Sequence, residues 1–172
     1  MTLDSKLLPQ IHSIRLRGPW NLEPIARFVV AADGSLATSQ VEFPPAARMT
    51  MPADWSAAFG ANFLGLVRYH RVFQTPTGLE NGERVFLVIE PPRSRGEVKL
   101  SDRLLGVVEH GGPFGRFEIT DQLQDHNRLE VIVEHPVHDD AGRAPADIKS
   151  PGGLIGEIRL EIEEVVSVSD AD

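Results

Sequence analysis

Two histidines and two aspartates stand close together in the last third of the chain, and all four are residue types that bind metals. His135, His138, Asp139 and Asp140 follow a predicted strand and open a long polar loop. Imidazole nitrogens and carboxylate oxygens a few residues apart at a strand end can bind zinc or a similar ion. The four residues are therefore a candidate metal site. A solvated loop with spare polar side chains is the alternative interpretation.

Residues that could bind a sugar are few. Proteins hold a sugar by stacking its apolar face on Trp or Tyr and by hydrogen bonding its hydroxyls to polar side chains. The sequence has two tryptophans and one tyrosine, and Trp55, in the loop after Pro52, is the candidate platform. Arg71, His110 and His135 are the candidate polar ligand-binding residues. The alternatives, which we favour, are that Trp55 plugs one end of the fold and that His110 anchors a turn.

Paired carboxylates of the kind that hydrolyse glycosides are not evident. Such a pair must face a sugar from positions roughly 5–9.5 Å apart. Glu163 and Glu164 are adjacent, so in a strand they point to opposite faces, and Glu130 and Glu134 share the polar side of one strand. The sequence also lacks the G-x-S-x-G elbow and the phosphate-binding loop. We therefore predict no catalytic residue and a protein that is not an enzyme.

Composition and charge exclude several classes of partner. The 172 residues include 41% hydrophobic and 24% charged residues, with a net charge of -8, so the electrostatic field opposes nucleic acid and anionic lipid. No cysteine is present, which removes disulfides and thiolate chemistry and favours a reducing compartment. The first ten residues lack the apolar run of a signal peptide, and no segment has the roughly 20 apolar residues of a membrane span. We expect a cytoplasmic protein with no membrane partner.

Prolines and glycines divide the chain into short pieces, which predicts many short strands. Thirteen prolines and fifteen glycines interrupt it, and no long stretch keeps helical periodicity. The segment 53–62 is the one expected helical turn, with Asp54 as its cap. Regularly spaced strands with alternating apolar residues predict an all-β sandwich formed by a single domain, residues 1–172. The predicted strands lie at 11–17, 25–30, 39–43, 66–73, 84–90, 97–100, 103–107, 117–119, 129–133 and 158–162.

Several motifs occur in a fixed order over about 100 residues, and that order resembles the sugar-binding domain at the front of family-two glycoside hydrolases, the β-galactosidases and β-glucuronidases. The matching segments are Tyr69-His70-Arg71-Val72-Phe73, Val85-Phe86-Leu87-Val88-Ile89, Gly111-Gly112-Pro113-Phe114, Ile119-Thr120-Asp121-Gln122-Leu123, Asn127-Arg128-Leu129-Glu130-Val131, and Gly153-Leu154-Ile155 before Ile158-Arg159-Leu160.

The resemblance implies a fold and a ligand class. It implies a jelly-roll-like antiparallel β-sandwich of the galactose-binding-domain type, with carbohydrate as its ligand. In the resembling enzymes both catalytic carboxylates belong to a barrel that this sequence does not contain, so no catalytic residue carries over. No cofactor is implied, although related sandwich domains often hold a structural calcium ion on carbonyl and carboxylate oxygens.

The chain departs from the family pattern at two places. Ser101-Asp102 stands where the family has an Asn-Gly hairpin turn, and it tolerates the positive φ angles of a type I′ turn less readily. The last loop has Leu154, Ile155 and Gly156 where the family has an aromatic residue and an arginine.

Two other functions stay open beside carbohydrate binding. One is a structural or protein-interaction module. For it we expect a homodimer through the C-terminal strand, continued by Val166 and Val168, or through the Leu154–Ile155 loop. The other is a small metal-dependent enzyme built on the histidine cluster.

Overall fold

The structure, a computed structural model, describes residues 9–145 and 148–165 and is built almost entirely of strands. One short helix, α1 (Ser56–Phe59), and one 3-10 helix (Thr120–Gln122) accompany them. The strands are, in chain order, β1 Ile11–Arg15, β2 Trp20–Val30, β3 Leu36–Thr38, β4 Ala47–Met49, β5 Ala53–Asp54, β6 Gly65–Gln74, β7 Glu83–Ile89, β8 Arg95–Leu100, β9 Arg103–Glu109, β10 Gly115–Glu118, β11 His126–His135, β12 Gly153–Leu154 and β13 Ile158–Glu164.

Two antiparallel sheets form the sandwich. The smaller sheet has the order β1-β13-β7-β10, and the larger has seven strands in the order β3-β2-β6-β11-β8-β9, with β4 also paired to β2. A two-stranded sheet of β5 and β12 lies apart from them. This architecture confirms the predicted all-β sandwich class.

The core lies between the sheets, and it is formed by the apolar residues that alternate with polar ones along the strands. In β11, Leu129, Val131 and Val133 are fully buried while the residues between them are not. In β13, Ile158, Leu160 and Ile162 are buried and alternate with partly exposed charged residues, as predicted. Because successive side chains of a strand point to opposite faces, each strand contributes one apolar face to the core.

Two local predictions were wrong in detail. The segment 39–43 is not a strand, because the Ser39 hydroxyl accepts a hydrogen bond from the backbone N–H of Val41 at 3.1 Å and turns the chain. The helix is shorter than the predicted 53–62. Asp54 accepts a hydrogen bond from the N–H of Ser56 at 2.9 Å, but the N-cap position itself is Trp55.

The segments expected to form a dimer are partly engaged within the protein itself, and the dimer stays a prediction. Strand β13 pairs with β1 on one side and β7 on the other, so neither of its edges is open over the paired registers. Leu154 is 1% exposed and belongs to the core. Val166 and Val168 lie outside the described residues.

The turn of the hairpin between β8 and β9 adopts the positive φ angles that Ser101-Asp102 is expected to tolerate less readily than Asn-Gly. Ser101 and Asp102 have φ angles of 48° and 68°, both in the left-handed region. A two-residue hairpin turn that follows the strand twist requires positive φ at both positions. The turn is therefore of the type that Asn-Gly favours, although neither residue is Asn or Gly.

Replacing Ser101-Asp102 with Asn-Gly should stabilise the protein by about 1 kcal/mol, because Asn and Gly adopt positive φ at lower cost. Urea denaturation measures the change. As a matched control, Asp102→Ala should not stabilise. An Asn-Gly variant no more stable than the starting protein contradicts the proposed strain at this turn.

Candidate functional site

A cleft of about 450 Å³ opens where the segment before β8 meets the ends of β9 and β11. It brings together two of the four predicted ligand-binding residues, His110 and His135. The described residues that line it are Arg93, Ser94, Arg95, Glu109, His110, His135, Val137, Pro145 and Ser150. These residues come from four separate stretches of the chain, so their proximity depends on the sandwich.

His135 lies in the wall of the cleft and is 3% exposed. Its Nε2 is 2.7 Å from the carbonyl oxygen of Ser150, and its Nδ1 is 2.6 Å from the hydroxyl oxygen of Ser94. A carbonyl only accepts, so Nε2 carries the proton and donates it, and Nδ1 accepts from the Ser94 hydroxyl. Burial has the largest effect and lowers the pKa of His135. The hydrogen bond to the Ser150 carbonyl raises the pKa and charge repulsion from Arg93 lowers it, and the net result is a pKa below the ordinary histidine value. The imidazole is therefore neutral and joins two segments of the cleft.

Stability should fall in mild acid because His135 binds a proton less readily in the native state. The unfolded chain takes up that proton near the ordinary histidine pKa of about 6.5. The contribution of neutral His135 is therefore complete above about pH 6.5 and is lost as the pH falls from there to the lower native pKa. The expected loss is at most about 1.4 kcal/mol per pH unit.

Urea unfolding at about pH 7.5 and about pH 5.5 measures this effect. His135→Gln should remove part of the difference between the two pH values, whereas His126→Gln, at an exposed position on the same strand, should leave it intact. An unchanged pH dependence in the His135→Gln protein would show that other groups cause it.

Ser150 belongs to the wall of the cleft, and the segment 150–154 that it begins is tied down along its length. The Arg93 side chain donates to the carbonyl of Pro151 at 2.9 Å, and the N–H of Trp55 donates to the carbonyl of Gly152 at 2.9 Å. A Cβ atom at Gly152 would lie 2.5 Å from the Trp55 ring and 2.6 Å from the Cβ of His135. Only glycine lets the loop pack this closely, so the wall is fixed before any ligand arrives.

Trp55 supports this wall from inside the protein. Its indole is completely buried, its Nε1–H donates to the carbonyl of Phe63 at 3.2 Å, and its ring meets the edges of Phe59, Phe63 and His135 at centroid distances of 6.5, 5.5 and 5.9 Å. No face of the indole is open for a sugar to stack on. The interpretation of Trp55 as a platform is thereby corrected, and its placement fits the alternative of a core plug.

Arg71 lies outside the cleft. Its guanidinium is 5.8 Å from the centroid of the Trp20 ring, and its Nε is buried with no hydrogen-bond partner among the described residues. Desolvation lowers the pKa of this guanidinium. Arg71 therefore packs against a core aromatic, apart from the cleft that His110 and His135 line.

The predicted metal ligands do not converge. Both ring nitrogens of His135 are already hydrogen bonded, the Nδ1 of His138 is 3.9 Å from a carboxylate oxygen of Glu134, and Asp139 accepts two backbone N–H groups of its own loop at 2.8 and 3.0 Å. Asp140 is exposed. Within residues 9–145 and 148–165 no three His, Asp or Glu side chains are placed to hold a metal ion, zinc or calcium. The candidate metal site is not assembled.

The basic and hydroxyl groups of the cleft were not predicted from the sequence. Arg93 and Arg95 stand in a segment of mixed charge that is typical of a solvated face, yet both line the cleft. Ser94 has a φ of 79°, an uncommon angle for a residue with a side chain, and its hydroxyl bonds His135. The one feature of the sequence that pointed to this site was the loop Ser150-Pro151-Gly152-Gly153, whose proline and glycines indicate a specific backbone conformation.

The open polar groups of the cleft belong to Arg95, Glu109 and His110. The Nε of Arg95 is 3.9 Å from a carboxylate oxygen of Glu109, and its Nη1 is 3.9 Å from a carboxylate oxygen of Glu134. Both distances exceed that of a hydrogen bond. The Glu109 side chain is 70% exposed, and His110 is exposed as well. The Nε of Arg95 is buried although 42% of its side chain is exposed, so Glu109, His110 and the exposed part of Arg95 can contact a ligand without breaking a hydrogen bond between described residues.

In the part of the chain that the structure describes, no helix is long and apolar enough to cross a membrane. No protein-family model matches the sequence, and no curated protein matches it either.

The fold is that of known glycosidase structures. A β-glucuronidase from Bifidobacterium dentium matches with a TM-score of 0.65 and 18% identity, over 90% of this chain and 30% of its own. A β-glucuronidase from an uncultured Clostridium matches with a TM-score of 0.66 and 15% identity, over 90% and 29%. A glycosyl hydrolase family 2 member from Bacteroides cellulosilyticus gives 0.57 and 15%, over 87% and 20%. The chain spans less than a third of each of these proteins, and it shares the fold of one part of them.

Proposed function

We propose that this chain is a non-catalytic β-sandwich module that binds carbohydrate in the cleft between the segment before β8 and the ends of β9 and β11. The observation that carries the proposal is the grouping of Arg95, Glu109 and His110 in a cleft of about 450 Å³. Clefts of this size commonly hold small ligands. The similarity to part of several glycosidases supports carbohydrate as the ligand class.

The chemistry of the open groups suits sugar hydroxyls. A hydroxyl both donates and accepts, so its best partners are a guanidinium that donates and a carboxylate that accepts, side by side. Arg95 and Glu109 provide this pair, and the His110 imidazole can do either. His135 accepts a hydrogen bond from the Ser94 hydroxyl and donates one to the carbonyl of Ser150, so we assign His135 and Ser94 the role of positioning the cleft wall.

The non-catalytic part of the proposal rests on the carboxylates. Among the described residues that line the cleft, Glu109 is the one carboxylate. Glycoside hydrolysis in its common forms needs two carboxyl groups facing each other across the bond that breaks. One carboxylate supports binding rather than hydrolysis.

A thermal-shift titration tests the proposal with galactose, glucose, glucuronate, lactose and cellobiose as probes. A sugar that binds only the native state raises the melting temperature progressively once its concentration exceeds the dissociation constant. His110→Ala should abolish or strongly reduce that shift without lowering the melting temperature of the free protein, since the side chain is exposed. His126→Ala, exposed and outside the cleft, is the matched control. Equal shifts in both variants would place the binding site elsewhere.

A protein-interaction module is the second candidate. Val41 and Phe43, on the loop after β3, are 65% and 46% exposed, and exposed apolar side chains are common at protein interfaces. A homodimer through this loop would appear in light scattering as a mass that rises with concentration from 18.9 kDa. For either function we expect the cytoplasm as the compartment, since the chain contains no cysteine.

A further inference from the structure

A second groove, of about 370 Å³, lies beside the proposed sugar cleft. Glu109 lines both cavities, and the segment 110–115 runs from one to the other, with His110 in the cleft and Phe114 in the groove. The residues lining the groove are Val107, Val108, Glu109, Gly112, Pro113, Phe114, Gly115, Arg116 and Phe117. A ligand that leaves the cleft past Glu109 would therefore enter this groove.

The segment between the two cavities is anchored at both ends. The N–H of His110 donates to the carbonyl of Ser94 at 2.8 Å, and the N–H of Gly112 donates to the carbonyl of Glu109 at 3.0 Å. At the far end a Cβ atom on Gly115 would lie 2.6 Å from a methyl carbon of Val108, so the backbone packs tightly against β9. This anchoring fixes the spacing between the two cavities.

The groove combines an apolar floor with polar groups at its sides. The Phe114 ring is 54% exposed and Val107 is 41% exposed, although both are apolar. Glu109 supplies a carboxylate to the groove, and Arg116 lines it with a guanidinium that is hydrogen bonded to Glu163 at 2.8 Å and lies 3.5 Å from the centroid of the Phe86 ring. A sugar ring has one apolar face and a rim of hydroxyls, so it suits an apolar surface beside a carboxylate, whereas a flat hydrocarbon ring would leave that carboxylate unused.

We propose that the groove is a subsite for the second ring of a glycan, stacked on Phe114, so that the ligand is a disaccharide or longer chain rather than a monosaccharide. The inference deepens the proposed function and rests on it. It assigns to Phe114 the stacking role that Trp55, being buried, cannot perform.

Isothermal titration with two matched pairs of probes, galactose against lactose and glucose against cellobiose, tests the subsite. In at least one pair the disaccharide should bind about tenfold more tightly than the monosaccharide, the gain expected of one aromatic stacking contact. Phe114→Ala should remove that gain and leave monosaccharide affinity unchanged. Phe114→Trp should retain it. Phe43→Ala removes a similarly exposed phenylalanine elsewhere and is the control.

The outcomes separate the two proposals. If monosaccharides bind and disaccharides gain nothing, or if Phe114→Ala weakens both equally, the subsite is wrong and the cleft stands. If nitrophenyl galactoside gains affinity through Phe114 and lactose does not, the groove takes an aromatic group and the sugar-ring assignment is overturned. If no probe binds at all, the proposed function fails and the subsite fails with it.

Discussion

Replacing Trp55 with Ala should lower the free energy of unfolding by about 3–5 kcal/mol, the range for truncation of a large buried aromatic. The indole is completely buried, it contacts Phe59, Phe63 and His135, and Gly152 packs directly on its ring. Truncation leaves a cavity that these neighbours cannot fill, because the backbone at Gly152 is held by hydrogen bonds. Urea denaturation monitored by circular dichroism measures the loss.

Two control variants make this result specific. Trp55→Phe keeps most of the buried area and should cost clearly less than Trp55→Ala, and Phe43→Ala removes an exposed aromatic and should change stability by about 0.5 kcal/mol or less. A Trp55→Ala protein as stable as the starting chain but unable to bind sugar would restore Trp55 as a ligand platform. The structure instead predicts a Trp55→Ala protein that is strongly destabilised.

Replacing Asn127 with Ala should lower the free energy of unfolding by about 2–4 kcal/mol, because it removes the partner of several polar groups at once. Asn127 is fully buried at the start of β11. Its amide nitrogen lies 2.8 Å from the carbonyl of Gln124, 3.2 Å from the Thr75 hydroxyl and 3.3 Å from the carbonyl of Phe73. Its carbonyl oxygen accepts from the N–H of Gln124 at 2.8 Å.

Asn127→Asp distinguishes the donors from the acceptor. The carboxylate still accepts from the N–H of Gln124, but it cannot donate to the three oxygens that surround the native amide nitrogen. We therefore expect Asn127→Asp to be destabilised as well, and increasingly so at high pH, where the buried carboxylate is charged. A fully tolerated Asn127→Ala would mean that water replaces these bonds and that the residue does not hold the β6 and β11 ends together.

The longer strands could be predicted from the sequence because most of them carry an alternating apolar pattern, whereas the short strands β3, β4, β5 and β12 were not predicted. Alternation in 129–133 and 158–162 reports burial on one face, and the buried residues are those the alternation selects. The segment 39–43 shows where this fails: its apolar residues alternate, yet a hydroxyl-to-backbone bond at Ser39 turns the chain and leaves Val41 and Phe43 exposed. Local hydrogen bonding outweighed the apolar pattern.

The cleft could be predicted only in part, since its residues meet through pairings between distant segments. His135 reaches Ser94 because β11 pairs with β8, and it reaches Ser150 because the loop 150–154 folds back over the end of the sheet. At the cleft, closeness in the sequence did not predict closeness in the structure. His135 and His138 are three positions apart, yet one is buried in the cleft wall and the other is exposed.

The most direct test of carbohydrate binding in the cleft is an ¹⁵N–¹H correlation titration with lactose, cellobiose and glucuronate. The account predicts that the amide resonances of Ser94, Glu109, His110 and Ser150 move together and saturate with one dissociation constant. Those of Gln74 and Arg84, which do not line the cleft, should stay in place. Absence of any saturable shift with all three sugars, or shifts confined to residues outside the cleft, contradicts it.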